Sequence, residues 1–159
     1  AYYQRTEGVP YVPRTSHGMR PDPDTLYGRT KLAGESDLAI NVRTSFVGPR
    51  HGLWKWLVDE ANKPDPGVDG WANAWWSGST VNAVAHALLE LARHPGKPRT
   101  LHLATETPIS KAEVIFDILE ELVLPRTKVN LVQEPRIDRS LHPDIVLPPF
   151  EEALREMVP

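Results

Sequence analysis

Segments with the spacing of a β-strand alternate along this chain with segments that have the spacing of an α-helix. The clearest helix is predicted over 81–93, where apolar residues recur every three or four positions to give one apolar face: Val81, Val84, Ala85, Leu88, Leu89 and Ala92. Two other helices are predicted over 25–38 and 53–62. Two more are predicted to begin at Ser110 and near Pro149. Strands are predicted over 39–47, 70–76, 99–104 and 127–133. This alternation predicts an α/β fold with a parallel component.

Several local signals place the ends of these helices. Ser110 and Glu113 have the spacing of a capping box, and Ile109 and Val114 stand where a hydrophobic staple would lie. The buried stripe of that helix is predicted to contain Ile115, Ile118, Leu119 and Leu122. Asp24 or Thr25 can cap the first helix, and Ser79 or Thr80 can cap the helix over 81–93. On the strand over 127–133, Val129 and Leu131 are predicted to share one face.

Composition excludes several classes of protein. The chain has 159 residues, contains no long linker, and is expected to form one unit. Without cysteine there is no disulfide scaffold, thiolate zinc site or thiol nucleophile, and a reducing compartment such as the cytoplasm is expected. The net charge of −3 argues against nucleic acid as a partner. No run of apolar residues is long enough to predict a membrane-spanning helix. The six histidines lack ligand spacing, so we expect no metal site.

One pair of residues suggests catalysis. Tyr27 and Lys31 are four residues apart on a predicted helix, so their side chains project from the same face. A neighbouring ammonium favours the phenolate form of a tyrosine. Such a phenol can donate a proton to a carbonyl or accept one from an alcohol. The spacing is common, however, and the same pair can be an ordinary solvated helix face.

The residues around this pair resemble a known family. Tyr27 to Glu35 (YGRTKLAGE) is similar to the catalytic helix of extended short-chain dehydrogenases/reductases, especially the dTDP-4-dehydrorhamnose reductase-like branch. The similarity continues through further segments: 8–14, 41–48, 75–80, 109–111, 138–141 and 148–152. The resemblance implies the C-terminal part of a Rossmann-type sheet and a small α/β substrate-binding lobe. Residues 1–159 would form a single unit, with the Tyr/Lys helix at about 25–38 and the lobe mostly over 49–159.

The resemblance also implies a reaction. A keto-deoxysugar nucleotide would be reduced with NADPH or NADH as cofactor. Tyr27 would give the proton to the carbonyl oxygen, and Lys31 would favour the phenolate and hold the nicotinamide ribose. Thr44 and Ser45 would lie beside the nicotinamide.

A defining part of the family is absent from this sequence. No G-x-G-x-x-G motif occurs, so the N-terminal half that cradles the cofactor pyrophosphate is not represented. We therefore expect a complementary Rossmann half or self-association to complete the site. An open sheet edge and an exposed apolar face should mark the surface involved. The alternative is a non-catalytic structural or assembly module that retains the reductase-like fold.

Further residues are candidates for binding the substrate. Arg43 follows an apolar strand and can pair with a phosphate or with a carboxylate of the fold. Arg139, close to Arg136, suits a nucleotide pyrophosphate, although a surface ion pair is the alternative. Trp75 and Trp76 should face opposite sides of a strand, so that one packs in the core and the other can stack on a base or sugar.

Two more tryptophans have a structural interpretation. Trp54 and Trp56 lie on the helix predicted over 53–62. We expect them to serve in packing or in an interface with the absent half.

Overall fold

Five helices and ten short strands follow one another in the part of the chain that the computed structural model describes, which is residues 23, 25–97, 99–134 and 136–157. The motif over 8–14 and the possible cap Asp24 lie outside these residues. The helices are α1 (Leu26–Ala33), α2 (Gly52–Ala61), α3 (Val81–Arg93), α4 (Lys111–Glu121) and α5 (Phe150–Met157). The strands are β1 (Ile40–Arg43), β2 (Phe46–Val47), β3 (Gly67–Trp71), β4 (Ala74–Trp76), β5 (Ser79–Thr80), β6 (Arg99–Thr105), β7 (Ile109–Ser110), β8 (Lys128–Val132), β9 (Ile137–Asp138) and β10 (Ile145–Leu147).

A parallel sheet of three strands organises one side of the molecule. Its order is β1-β6-β10, with β6 paired parallel to both neighbours. Val42, Leu103 and Leu147 point to the same face of this sheet and pack with Val84 of α3. Asn41 and Arg43 point to the opposite face, because successive side chains of a strand alternate. The predicted α/β class with parallel strands is confirmed.

The smaller sheets surround α4. Strand β3 pairs parallel with β8, and β4 lies between β7 and β9. The predicted capping box is present, because Ser110 Oγ accepts from the Glu113 amide at 3.1 Å and the Glu113 carboxylate accepts from the Ser110 amide at 2.6 Å. Ile115, Ile118 and Leu119 are buried in the main core, and Leu122 is partly buried beside them.

One carboxyl group on α4 lies in an unfavourable environment. Asp117 is half-buried, and the pKa of its carboxyl is raised from 3.8 to about 6, with burial as the largest cause. The negative charge of Glu151 on α5 is the next contribution to this rise, and Glu113 and Glu120 contribute less. Arg155 opposes them without compensating fully. The contact between α4 and α5 is therefore most favourable when Asp117 is protonated.

Three predicted elements have different bounds in the structure. The helix predicted over 25–38 ends at Ala33, where Gly34 caps it. The strand predicted over 39–47 is divided into β1 and β2 at Thr44 and Ser45. The strand predicted over 70–76 is also two strands, because the chain turns at Ala72 and Asn73 and each part pairs with different partners. These breaks depend on pairing between distant segments, which a local pattern does not contain.

On two elements, apolar side chains that share a face with a buried or partly buried residue are exposed. On α3, Val84 is buried, whereas Leu88 is 39% and Leu89 is 56% exposed. On β8, Val129 packs against the core, but Leu131 is 55% exposed. The helix over 81–93 is thus confirmed, while most of its apolar face remains uncovered by the described residues.

Candidate active site

The Tyr27 and Lys31 side chains lie together on the exposed surface of α1. Thr25 caps this helix, since its hydroxyl accepts from the Gly28 amide at 3.0 Å. The Lys31 ammonium lies 5.4 Å from the centroid of the Tyr27 ring. Tyr27 is 69% exposed. The cation is therefore placed over the phenol ring, where a ligand from solvent can reach both groups.

Thr44 and Ser45 follow β1 directly, at the carboxyl end of a parallel strand. Ligands of open α/β sheets bind at such ends. The Thr44 hydroxyl donates to the Leu103 carbonyl at 2.9 Å, which fixes it to β6. The Ser45 hydroxyl accepts from Trp76 Nε1 at 2.8 Å and can still donate its own proton. Thr44 thus serves the fold, whereas Ser45 retains a donor.

Gly78 allows the close approach between Ser45 and Trp76. A Cβ atom at this position would lie 2.2 Å from the Ser45 carbonyl oxygen and equally close to the Trp76 ring. The Ser79 amide, one residue further on, donates to the same Ser45 carbonyl at 3.3 Å. Only glycine can therefore occupy position 78 without moving the segment that follows β1.

Arg43 is paired with a carboxylate of its own chain. Its Nε and Nη2 donate to the two carboxylate oxygens of Glu35, each at 2.7 Å. The two side chains are only 9% and 19% exposed. The structure thus contains the carboxylate pairing that was one of the two alternatives for this arginine, and a substrate-binding role stays a prediction.

The two adjacent tryptophans occupy opposite environments, as strand geometry predicts. Trp76 is 4% exposed and meets the Phe150 ring edge-on, with centroids 5.4 Å apart. Trp75 is 40% exposed. Trp76 is therefore the core member of the pair, and Trp75 is the one whose ring a substrate could reach.

A basic pair lies beside these tryptophans. The Arg139 amide donates to the Trp75 carbonyl at 3.0 Å, which places this exposed arginine next to β4. The Lys111 ammonium lies 5.1 Å from the centroid of the Trp76 ring. Burial, and secondarily the charge of Arg139, lowers the Lys111 pKa. Sequence reasoning missed Lys111, although a cation in the first turn of a helix opposes the helix dipole and is a usable signal.

The candidate residues thus form two groups. One group consists of Tyr27 and Lys31 on α1. The other consists of Ser45, Trp75, Trp76 and Arg139, which hydrogen bonds and strand pairing join. Of the remaining tryptophans considered, Trp54 is a core residue and Trp56 is 37% exposed.

The structure is similar to solved nucleotide-sugar enzymes. A dTDP-4-dehydrorhamnose reductase from Bacillus anthracis, solved with NADP, superposes with a TM-score of 0.74 at 19% identity, covering 87% of this chain and 56% of the enzyme. The Clostridium acetobutylicum reductase gives 0.73 at 16% identity, covering 94% and 60%. A dTDP-glucose 4,6-dehydratase from Bacillus anthracis, solved with NAD, gives 0.60 at 13% identity, covering 99% and 57%.

The chain shares the fold of these enzymes. It spans a little more than half of their length. At this level of identity the similarity establishes the fold, and both a reductase and a dehydratase have it. No protein-family model and no curated protein matches the sequence. None of the helices in the described part of the chain is long and apolar enough to cross a membrane.

Proposed function

We propose that this chain supplies the proton donor and the substrate-binding lobe of an NAD(P)H-dependent reductase acting on a keto-deoxysugar nucleotide. The observation that carries the proposal is the Tyr27–Lys31 pair, with its ammonium 5.4 Å from the ring centroid on an exposed face, in a fold shared with nucleotide-sugar reductases. The fold alone does not select the reaction, because a dehydratase has it too.

Tyr27 would protonate the carbonyl oxygen of the substrate. The Lys31 ammonium, 5.4 Å from the ring centroid, would place a positive charge beside the ring from which the proton has left. Trp75, the exposed tryptophan, offers a surface for the base or a sugar ring. Arg139, beside it, offers positive charge for the pyrophosphate.

The described residues fit one end of a nicotinamide cofactor. The exposed ammonium of Lys31 can bind the ribose hydroxyls, and the Ser45 hydroxyl retains a donor at the end of β1. The sequence contains no glycine-rich cradle for the pyrophosphate. When bound, the nicotinamide supplies the hydride, while the chain supplies orientation and the proton.

A second half of the cofactor site would dock on the open side of the main sheet. Within the described residues, β1 pairs with β6 alone, so its other edge is available to a further parallel strand. Leu88 and Leu89 of α3, which packs on this sheet, are exposed. A complementary Rossmann half would cover such an edge and such apolar groups, and self-association is the other way to cover them.

The mass of the native protein, as isolated from its source, tests whether this chain is joined to a second half. Mass spectrometry under non-denaturing and then denaturing conditions shows whether a longer covalent chain, or a tightly held partner with a glycine-rich dinucleotide fold, is present. Either finding supports the proposal. A lone chain of 17.8 kDa without a partner favours the non-catalytic module.

A kinetic assay tests the chemistry. Consumption of NADPH with a dTDP-4-keto sugar is measured for the complete protein and for Tyr27→Phe. Loss of a positioned general acid should lower turnover about a hundredfold or more. Lys31→Met should also lower turnover, whereas Lys55→Met, a matched exposed helix lysine, should not. Full activity of Tyr27→Phe would remove Tyr27 from the mechanism.

A further inference from the structure

Among the described residues, helix α1 has little apolar packing against the rest of the molecule. Between Leu26 and Ala33 the only buried residue is Gly28, and Leu26 is 73% exposed. Within the part of the chain that the structure describes, α1 makes few contacts with the other helices and strands. A helix of eight residues is marginal on its own in water. Among the described residues, it is the connection to β1 that supplies the polar attachments of α1.

That connection is held by an ion pair with fixed geometry. The Glu35 carboxylate, four residues after Lys31, receives both Nε and Nη2 of Arg43 at 2.7 Å. Arg43 is the last residue of β1, and the pair is largely shielded from solvent. Two parallel hydrogen bonds between planar groups fix orientation as well as distance.

Asn41 provides a second attachment from the same strand. Its side-chain oxygen accepts from the Ser36 amide at 3.0 Å, and its Nδ2 donates to the Ser36 carbonyl at 2.9 Å. Asn41 and Arg43 are two residues apart, so both project from one face of β1. Val42, between them, packs into the core on the other face. The strand that carries both attachments is therefore itself firmly held.

We propose that Glu35 and Arg43 are positioning residues that hold α1 so that Tyr27 and Lys31 face the substrate. This inference rests on the proposed function, in which Tyr27 and Lys31 act on the substrate carbonyl. In this proposal Arg43 acts through the helix, instead of binding a substrate phosphate. Its guanidinium edge is occupied by Glu35, as the paired distances show.

Amide hydrogen exchange on the chain tests the structural step. Arg43→Gln and Glu35→Gln each remove one partner of the pair, and exchange of the α1 amides should become about tenfold faster or more. Exchange of the α4 amides should stay unchanged, because α4 is held by its own core. The double variant Glu35→Gln/Arg43→Gln restores a neutral amide pair and should recover much of the protection.

Matched variants keep this test decisive. Asp59→Asn breaks an exposed ion pair with Lys55 on α2 and should leave α1 unaffected. Arg43→Lys keeps the charge but loses the bidentate contact, and serves if Arg43→Gln does not fold. Unchanged α1 exchange in the single variants, or equal acceleration in α1 and α4, would overturn the proposal.

Steady-state kinetics of the complete reductase separates positioning from substrate binding. A positioning role predicts that Arg43→Gln lowers kcat at least about tenfold while KM for the nucleotide sugar stays nearly constant. A raised KM with unchanged kcat would overturn the proposal and make Arg43 a substrate ligand. If the single variants accelerate amide exchange in α1 alone but the protein has no reductase activity, the proposed reaction is rejected and the attachment of α1 by Glu35 and Arg43 is upheld.

Discussion

Val123 is held in a backbone conformation that valine rarely adopts, and its replacement by glycine should stabilise the protein. Its φ angle is +53°, in the left-handed region. It follows α4 in a Schellman motif, in which the Val123 amide donates to Glu120 at 3.0 Å and the Leu124 amide donates to Leu119 at 2.9 Å. Glycine is the usual residue at this position, because it has no Cβ atom to clash with the backbone.

The size of the effect can be worked out from the same geometry. The left-handed conformation costs an L-residue about 1–2 kcal/mol. Val123 is 79% exposed, so its removal sacrifices little packing. The greater freedom of glycine in the unfolded chain offsets about 0.5–1 kcal/mol of the gain. We therefore expect Val123→Gly to raise the free energy of unfolding by about 1 kcal/mol, and the melting temperature by about 2–4 °C.

Urea denaturation and thermal melting measure this difference. Val123→Ala retains the backbone strain and should gain little. Val146→Gly provides the matched control, since Val146 is also exposed but lies in a strand, where glycine should lower stability. A Val123→Gly variant no more stable than the wild type would refute the assignment of strain to this residue.

Three further predictions concern pH, packing and capping. The folded-state pKa of Asp117 is raised to about 6, so the free energy of unfolding should fall as pH rises from about 4 to 6. Asp117→Asn should abolish this fall with pH and add roughly 1 kcal/mol to the free energy of unfolding at pH 7, after allowance for solvent screening. The argument would be contradicted if the free energy of unfolding, measured by urea denaturation, fell equally with pH in the variant and the wild type. Gly78→Ala should cost about 3 kcal/mol or more, because its Cβ would lie 2.2 Å from the Ser45 carbonyl oxygen; a wild-type denaturation midpoint would show that the contact is not tight. Ser110→Ala should cost about 1 kcal/mol in the same assay, and no loss would mean that the capping box contributes nothing.

Features encoded within a few neighbouring residues could be predicted from the sequence. The capping box at Ser110 and the cap at Thr25 are as expected, because a cap needs only a hydroxyl and the next turn of backbone. The proximity of Tyr27 and Lys31 follows from helical spacing alone. The alternation of predicted strands and helices identified the α/β class in the same way.

Features that depend on distant partners could not be predicted. Alternation along β4 shows that Trp75 and Trp76 face opposite sides, but only the position of Phe150 shows that Trp76 is the buried one. Arg43 could have met a phosphate or a carboxylate, and the turn after α1 brings Glu35 to it. Lys111 was not predicted as a site residue, because its environment is made by Arg139 and Trp76.

The sequence by itself therefore determined the fold class, the capped helices and the face shared by Tyr27 and Lys31, because those depend on spacing within a few turns of chain. Only the tertiary structure decided that strands end at Arg43 and Trp71, how α1 is attached to β1, and that Leu88 and Leu89 stay uncovered by the described residues. Burial and pairing are properties of segments that meet in space, and they are set by the free energy of packing the whole chain rather than by any local pattern.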